Sequence, residues 1–244
     1  MASALEYSHT SEAIRLRLAR GARVNYLRDW IYGAIDGGVT TFAIVAGVVG
    51  ANLPSTVVLL LGFANLVADG FAMAASNYSG TKAERDDYRR VLDIERRHIA
   101  LVPEGEREEI RQIFASKGFV GDDLERIVHL ISCDPVLWAK TMAVEEYGLS
   151  PTLRSPALAA LTTFAAFILC GVIPLITFLA VGGLGSCVVA TGATFFGVGA
   201  IKSRWSPAAW WRSGLETLVI GMSAAAIAFA IGYSLRVLFH ITPS

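Results

Sequence analysis

IYGAIDGGVTTFAIVAGVVG (31–50) and VVLLLGFANLVADGFAMAASNYS (57–79) decide the fold of this chain. Each is long enough to cross a hydrocarbon core of ~30 Å, which takes about 20 helical residues. Each carries a single charge, Asp36 in the first and Asp69 in the second. A carboxylate inside a bilayer costs at least ~2.5 kcal/mol, so such a residue usually stands on an ion or substrate path.

Outward from this pair the apolar residues continue in blocks, at 157–180, 184–201 and 214–235, the fourth span short and glycine-rich. A soluble core has no need of such blocks. With 54% hydrophobic residues in 244 and a mean hydropathy of +0.51, the expected fold is an all-α integral membrane protein of five transmembrane helices. The 42 charged residues are segregated: 27 of them, 12 basic and 15 acidic, lie between Thr81 and Arg154. That block is too long for a turn and predicts a cytoplasmic domain of three helices, about 80–101 (stopped by Pro103), 104–116 and 121–147. The last is interrupted at Asp134-Pro135, an N-cap and N1 pair. The expected organisation is an N-terminal amphipathic helix in 1–29, spans 1–2 in 30–80, the hydrophilic domain in 81–155, spans 3–5 in 156–236 and a tail at 237–244.

Orientation follows from lysine and arginine. Arg15, Arg17, Arg20, Arg23 and Arg28 precede span 1, and Lys202, Arg204 and Arg212 lie between spans 4 and 5, whereas 51–56 and 181–183 are uncharged. The N-terminus and the hydrophilic domain are therefore expected in the cytoplasm and the C-terminus outside. Met1–Arg28 lacks the apolar core of a signal peptide. With no long targeting extension, a cell inner membrane is expected rather than a vacuolar one. Cys133, Cys170 and Cys187 form no CxxC and read as small apolar residues. No GxxxxGK[ST], HExxH or GxSxG occurs, which argues against ATP-driven transport and against an enzyme; no nucleic-acid partner is expected.

In span 2, Asn65, Asp69, Met73 and Asn77 recur every four residues and so share one helix face. Carboxylate and amide oxygens with a thioether suit a borderline first-row divalent ion. The alternative is polar contact between helices, or, for Met73, simple packing. Gly33, Gly37, Gly38, Gly47 and Gly50 keep span 1 slim for close packing, within the chain or between two protomers. Thr40 and Thr41 add oxygen ligands or bond back to the preceding turn. In the hydrophilic block, Glu95 with His98, Glu106 with Glu109, and Met142 with Glu146 stand three or four residues apart. That spacing occurs where helices jointly bind metal, and equally on a solvated helix face. Trp138, Leu137 and Val144 suggest that the last helix packs on something. Glu216 reads as an interfacial residue near the start of span 5.

The stretch 36–51 followed by 66–79 resembles the vacuolar iron transporter family, which also includes the yeast Ca²⁺-sensitive cross-complementer and nodulin-21-like proteins. The resemblance runs from span 1 to span 5. It implies a five-span homodimer that exchanges cytosolic Fe²⁺, often also Mn²⁺, for protons along a path at the dimer interface. It places Asp36 and Met73 on the family's pathway positions. It also places Glu95, Glu106, Glu109, Glu146 and Met142 on those of its cytoplasmic metal-binding domain. This chain departs from the family at three positions: Asn65 replaces a pathway glutamate, His98 a loop glutamate, and Ala143 the second of two methionines. Asp69, one turn from Asn65, is a source of the missing charge. The expected function is a divalent-metal/proton antiporter in a lipid bilayer, with the metal as cargo and no permanently bound cofactor. The rival is a membrane-anchored metal sensor or buffer.

Overall fold

The structure, a computed structural model, describes residues 8–21 and 24–239; Arg23 and the tail beyond Phe239 lie outside the described residues. Among these the ordered elements are helical: α1 (Ser11–Ala19), α2 (Leu27–Gly50), α3 (Ser55–Leu101), α4 (Pro103–Ser116), α5 (Gly121–Ser132), α6 (Pro135–Glu145), α7 (Pro156–Ala180), α8 (Leu184–Lys202) and α9 (Trp210–Phe239), with a 3₁₀ turn at Ser203–Trp205. Five of them, α2, α3, α7, α8 with its 3₁₀ extension, and α9, are long and apolar enough to cross a membrane. The pair α5–α6, bent by 114°, is a further candidate by the same measure only if taken as one broken segment.

The chain divides into two compact units. One, Asn25–Thr81 with everything from Ser155 onward, is apolar. The other, Lys82–Arg154 with the stretch up to Val24, is the charged one. Helix α3 contributes to both.

In the apolar unit α2 is the central element, packed against α7, α8 and α9. Lipid tails are as apolar as leucine, so tight packing rather than hydrophobic burial must hold such helices together. The sequence supplies it through Gly33 and Gly37. A Cβ at Gly33 would stand 2.2 Å from the Thr163 carbonyl oxygen, and one at Gly37 2.3 Å from that of Phe167. These glycines serve contacts inside the protomer. Phe42, Val45, Phe167 and Leu175 fill the core beside them. Gly37→Ala should therefore cost about 1–3 kcal/mol, seen as a lower thermal midpoint in detergent. Gly80→Ala is the control: with nothing within 4 Å of the added methyl, the midpoint should hold or rise.

In the charged unit, Pro103 lacks the N–H that would continue α3 and stands at the first position of α4. Asp134 caps α6 as expected, its side chain accepting from the Val136 and Leu137 amides at 2.9 and 3.3 Å. The break it imposes makes the third predicted helix two, α5 and α6. Ile110, Val128, Trp138 and Met142 form a core of their own, and Tyr88, Val91 and Ala143 a second cluster. Leu137 and Val144, expected to pack with Trp138, are exposed. Of the N-terminal segment expected to hold an amphipathic helix, α1 takes up only Ser11–Ala19, and its apolar residues do not form a buried face: Leu16 and Leu18 are exposed and none is buried.

Candidate functional site

Two clusters of chemistry-bearing residues stand out, one in each unit.

In the apolar unit the stripe of α3 faces inward. Asn65, Asp69, Met73 and Asn77 are half-buried, while Val67 and Phe71 between them, and Phe63 before them, are exposed. Asp36 on α2 is half-buried too and lies near Asp69. Two polar atoms nearby are buried without a protein partner: the Asn65 amide nitrogen and the Thr41 hydroxyl. Thr40, in contrast, donates back to the Asp36 carbonyl oxygen at 2.8 Å, the ordinary fate of a helical threonine. Met73 packs against the apolar core.

Asn77 differs from the rest of its stripe. Its amide nitrogen donates to Asp29 Oδ1 at 2.9 Å and to Thr163 Oγ1 at 2.7 Å, with the Ala159 carbonyl at 3.3 Å, and its oxygen accepts from Thr81 at 3.4 Å. The amide nitrogen thus joins α3 to α2 and α7. Asp29, 1% exposed, was not singled out by sequence reasoning because it precedes the apolar run and looks like one more charge of the N-terminal segment.

In the charged unit, α3, α4 and the end of α6 bring four carboxylates together. Glu95 and Glu106 are buried, at 1% and 5% exposure, and Glu109 and Glu146 are exposed beside them. Glu95 stands near enough to Glu106 to act on its charge. One oxygen of each, Oε2, is buried without a partner. The Tyr147 hydroxyl donates to Glu95 Oε1 at 3.0 Å, and His98 Nδ1 lies 3.3 Å from Glu106 Oε1. Burial, and then the charges of Glu109, Glu95 and Glu146, push Glu106 up from 4.5 to about 7. Burial and the neighbouring Glu109 and Glu95 also raise Glu146. Tyr147 rises to about 12 through burial and its bond to Glu95. Tyr147 was missed in the sequence; its place next to Glu146 was the only signal.

Buried carboxylates crowd together at a cost, and the missing countercharge is what a cation would supply. Among the described residues, however, no three His, Cys, Asp or Glu side chains surround a ready-made cation gap. Met142, one turn before Glu146, is wholly buried among Ile110, Val128 and Trp138, so in this arrangement its sulfur serves packing. Of the three cysteines, Cys170 and Cys187 are buried in the apolar unit and Cys133 is exposed.

Comparison with known proteins adds a third kind of observation. The profile of the VIT family matches residues 27–233. Vacuolar iron transporter 2 of Oryza sativa subsp. japonica is 32% identical over 215 residues, covering 86% of this chain and 87% of that protein. Vacuolar iron transporter 1 of Arabidopsis thaliana is 33% identical over 210 residues, 84% of each chain. The vacuolar iron transporter of Toxoplasma gondii (strain ATCC 50861 / VEG) is 32% identical over 230 residues, 87% of this chain and 75% of that one.

Proposed function

The chain belongs to the VIT family of multi-pass membrane proteins, and from that premise we propose that it moves a divalent transition metal, Fe²⁺ and also Mn²⁺, out of the cytosol in exchange for protons. The observation that carries this reading is the pair Asp36 and Asp69, half-buried carboxylates on the neighbouring helices α2 and α3 of the apolar unit. Two such charges are costly in a bilayer unless a cation or a proton joins them.

The metal is collected first on the charged unit. Glu106 gives up its proton and, with Glu95, Glu109, Glu146 and His98, turns to the ion, offering carboxylate oxygens and an imidazole nitrogen. Metal loading requires deprotonated ligands and so releases protons. The ion then passes to Asp36 and Asp69, with Met73 and Asn65 along the same stripe. Protons arriving from the more acidic far side compete for those carboxylates and expel the metal. Asn77 is left out of the path, because its amide hydrogens hold Asp29 and Thr163. The transporter works as a homodimer with its N-terminus in the cytoplasm; Leu60, Phe63, Val67 and Phe71, exposed along α3, support a second copy against that helix.

One observation favours the sensor or buffer reading: the charged unit has its own apolar core and its own carboxylate cluster. Proteoliposomes separate the two. Uptake of Fe²⁺ and Mn²⁺ should rise when the lumen is made more acidic than the bath and fall to leak level without a gradient. Metal bound by the protein with no gradient-dependent uptake supports the buffer instead.

A further inference from the structure

Asn77 bonds to Asp29, and two turns deeper along the same two helices Asp69 faces Asp36. Asp29 and Asp36 are seven residues apart on α2, and Asn77 and Asp69 eight apart on α3. Seven residues of helix rise about 10.5 Å and eight about 12 Å, so the two contacts are nearly equal steps along an antiparallel pair. Whatever fixes the first fixes the axial register of the second.

The first contact is well fixed. Asn77 spends both amide hydrogens on Asp29 Oδ1 and Thr163 Oγ1, at 2.9 and 2.7 Å. Thr163 Oγ1 also lies 3.2 Å from the Asp29 carbonyl oxygen, to which it donates its own proton. Asp29 and Thr163 are each 1% exposed. Hydrogen bonds away from water and lipid are strong and directional. The knot also sits at a close approach of α2 and α7, since a Cβ on Gly33 would strike the carbonyl oxygen of Thr163 itself. One residue of α7 thus both abuts the backbone of α2 and holds the side chain of α3.

We propose that Asp29, Asn77 and Thr163 are positioning residues for metal transport: they pin α3 against α2 and α7 and thereby set the spacing of Asp36 and Asp69. This rests on the reading of those two aspartates as the transport path. A divalent ion joined by two carboxylates needs their oxygens at a defined separation, and a misplacement of about 1 Å can weaken such a site by up to about 100-fold. The pin touches neither the ion nor the path, and acts only through register.

Thr163 gives the cleanest test, because Thr163→Val keeps the shape and removes the hydroxyl, while Thr163→Ser restores it. In reconstituted full-length protein, Thr163→Val should raise the apparent KM for Mn²⁺ about tenfold, with maximal flux per folded protein changed by less than about twofold. Thr163→Ser should return KM to the wild-type value. A residue that served stability alone would lower the folded yield and the thermal midpoint, and leave the KM of the surviving protein unchanged. That result would overturn the proposal. If Thr163→Val does not fold, Asn77→Gln carries the same test, since it keeps the amide but displaces it by one methylene. Asp36→Asn run alongside separates the two levels of the argument. Normal flux in Asp36→Asn sinks the path, whereas a dead Asp36→Asn with an unshifted KM in Thr163→Val sinks only the pin.

Discussion

Asp36→Asn should reduce metal flux by at least about 100-fold while the protein still folds and still binds metal on its charged unit. A lost direct ligand costs no less than a lost supporting contact, for which 10–100-fold is usual. Asparagine matches aspartate in shape but carries neither the charge that attracts the cation nor the titratable oxygen that takes up the returning proton. Folding should survive because the one hydrogen bond assigned to Asp36 is accepted by its main-chain oxygen, from Thr40 at 2.8 Å. Removing a half-buried carboxylate from an apolar unit also relieves a cost. The thermal midpoint should hold or rise as flux disappears. Flux is measured in proteoliposomes and metal binding by titration of the detergent-solubilised protein, so that a transport defect is distinguished from a loading defect.

The second large effect concerns Glu106. Its carboxyl holds a proton up to about pH 7, against 4.5 ordinarily, so the folded domain binds that proton more tightly than the unfolded chain does. The stability it contributes is complete below about pH 4.5 and is lost as the pH rises through about 7. Metal loading runs the other way, because the ion needs the carboxylate: affinity should climb steeply between pH 6 and pH 8 in the wild type. Glu106→Gln removes both trends. It should weaken metal binding at pH 8 by about 10–100-fold, flatten its pH dependence, and make α4 more resistant to hydrogen exchange at pH 8 in the metal-free protein. Weaker binding together with better protection would mark Glu106 as a group kept for cargo at the expense of stability.

The hydropathy blocks and the two lone aspartates carried most of the architecture, since length and apolarity constrain a span with little help from tertiary contacts. Helix ends marked by proline were equally legible: Pro103 and Asp134-Pro135 fall where the helices stop and start. Three things could not be seen. The extent of α3, continuous from Ser55 to Leu101, crosses from an apolar stretch to a charged one, and composition changes where the backbone does not. The i,i+4 stripe placed Asn65, Asp69, Met73 and Asn77 on one face but could not say which were already bonded. Asn77 is taken up by Asp29 and Thr163, which come from helices 48 and 86 residues distant in sequence. Likewise the pattern Met142 with Glu146 was real as a spacing, yet the core formed by Ile110, Val128 and Trp138 claims the methionine. Periodicity reports which residues share a face; only the packing partners decide what that face does.

The most direct test of the central claim records metal and proton movement together in one preparation. Proteoliposomes holding a metal-sensitive dye and a pH-sensitive dye are given Mn²⁺ from outside, with wild-type protein and with Asp36→Asn. The account predicts Mn²⁺ entry coupled to proton exit in the wild type, and neither in the variant. Mn²⁺ entry that continues in Asp36→Asn, or that proceeds in the wild type with no proton movement, would contradict it.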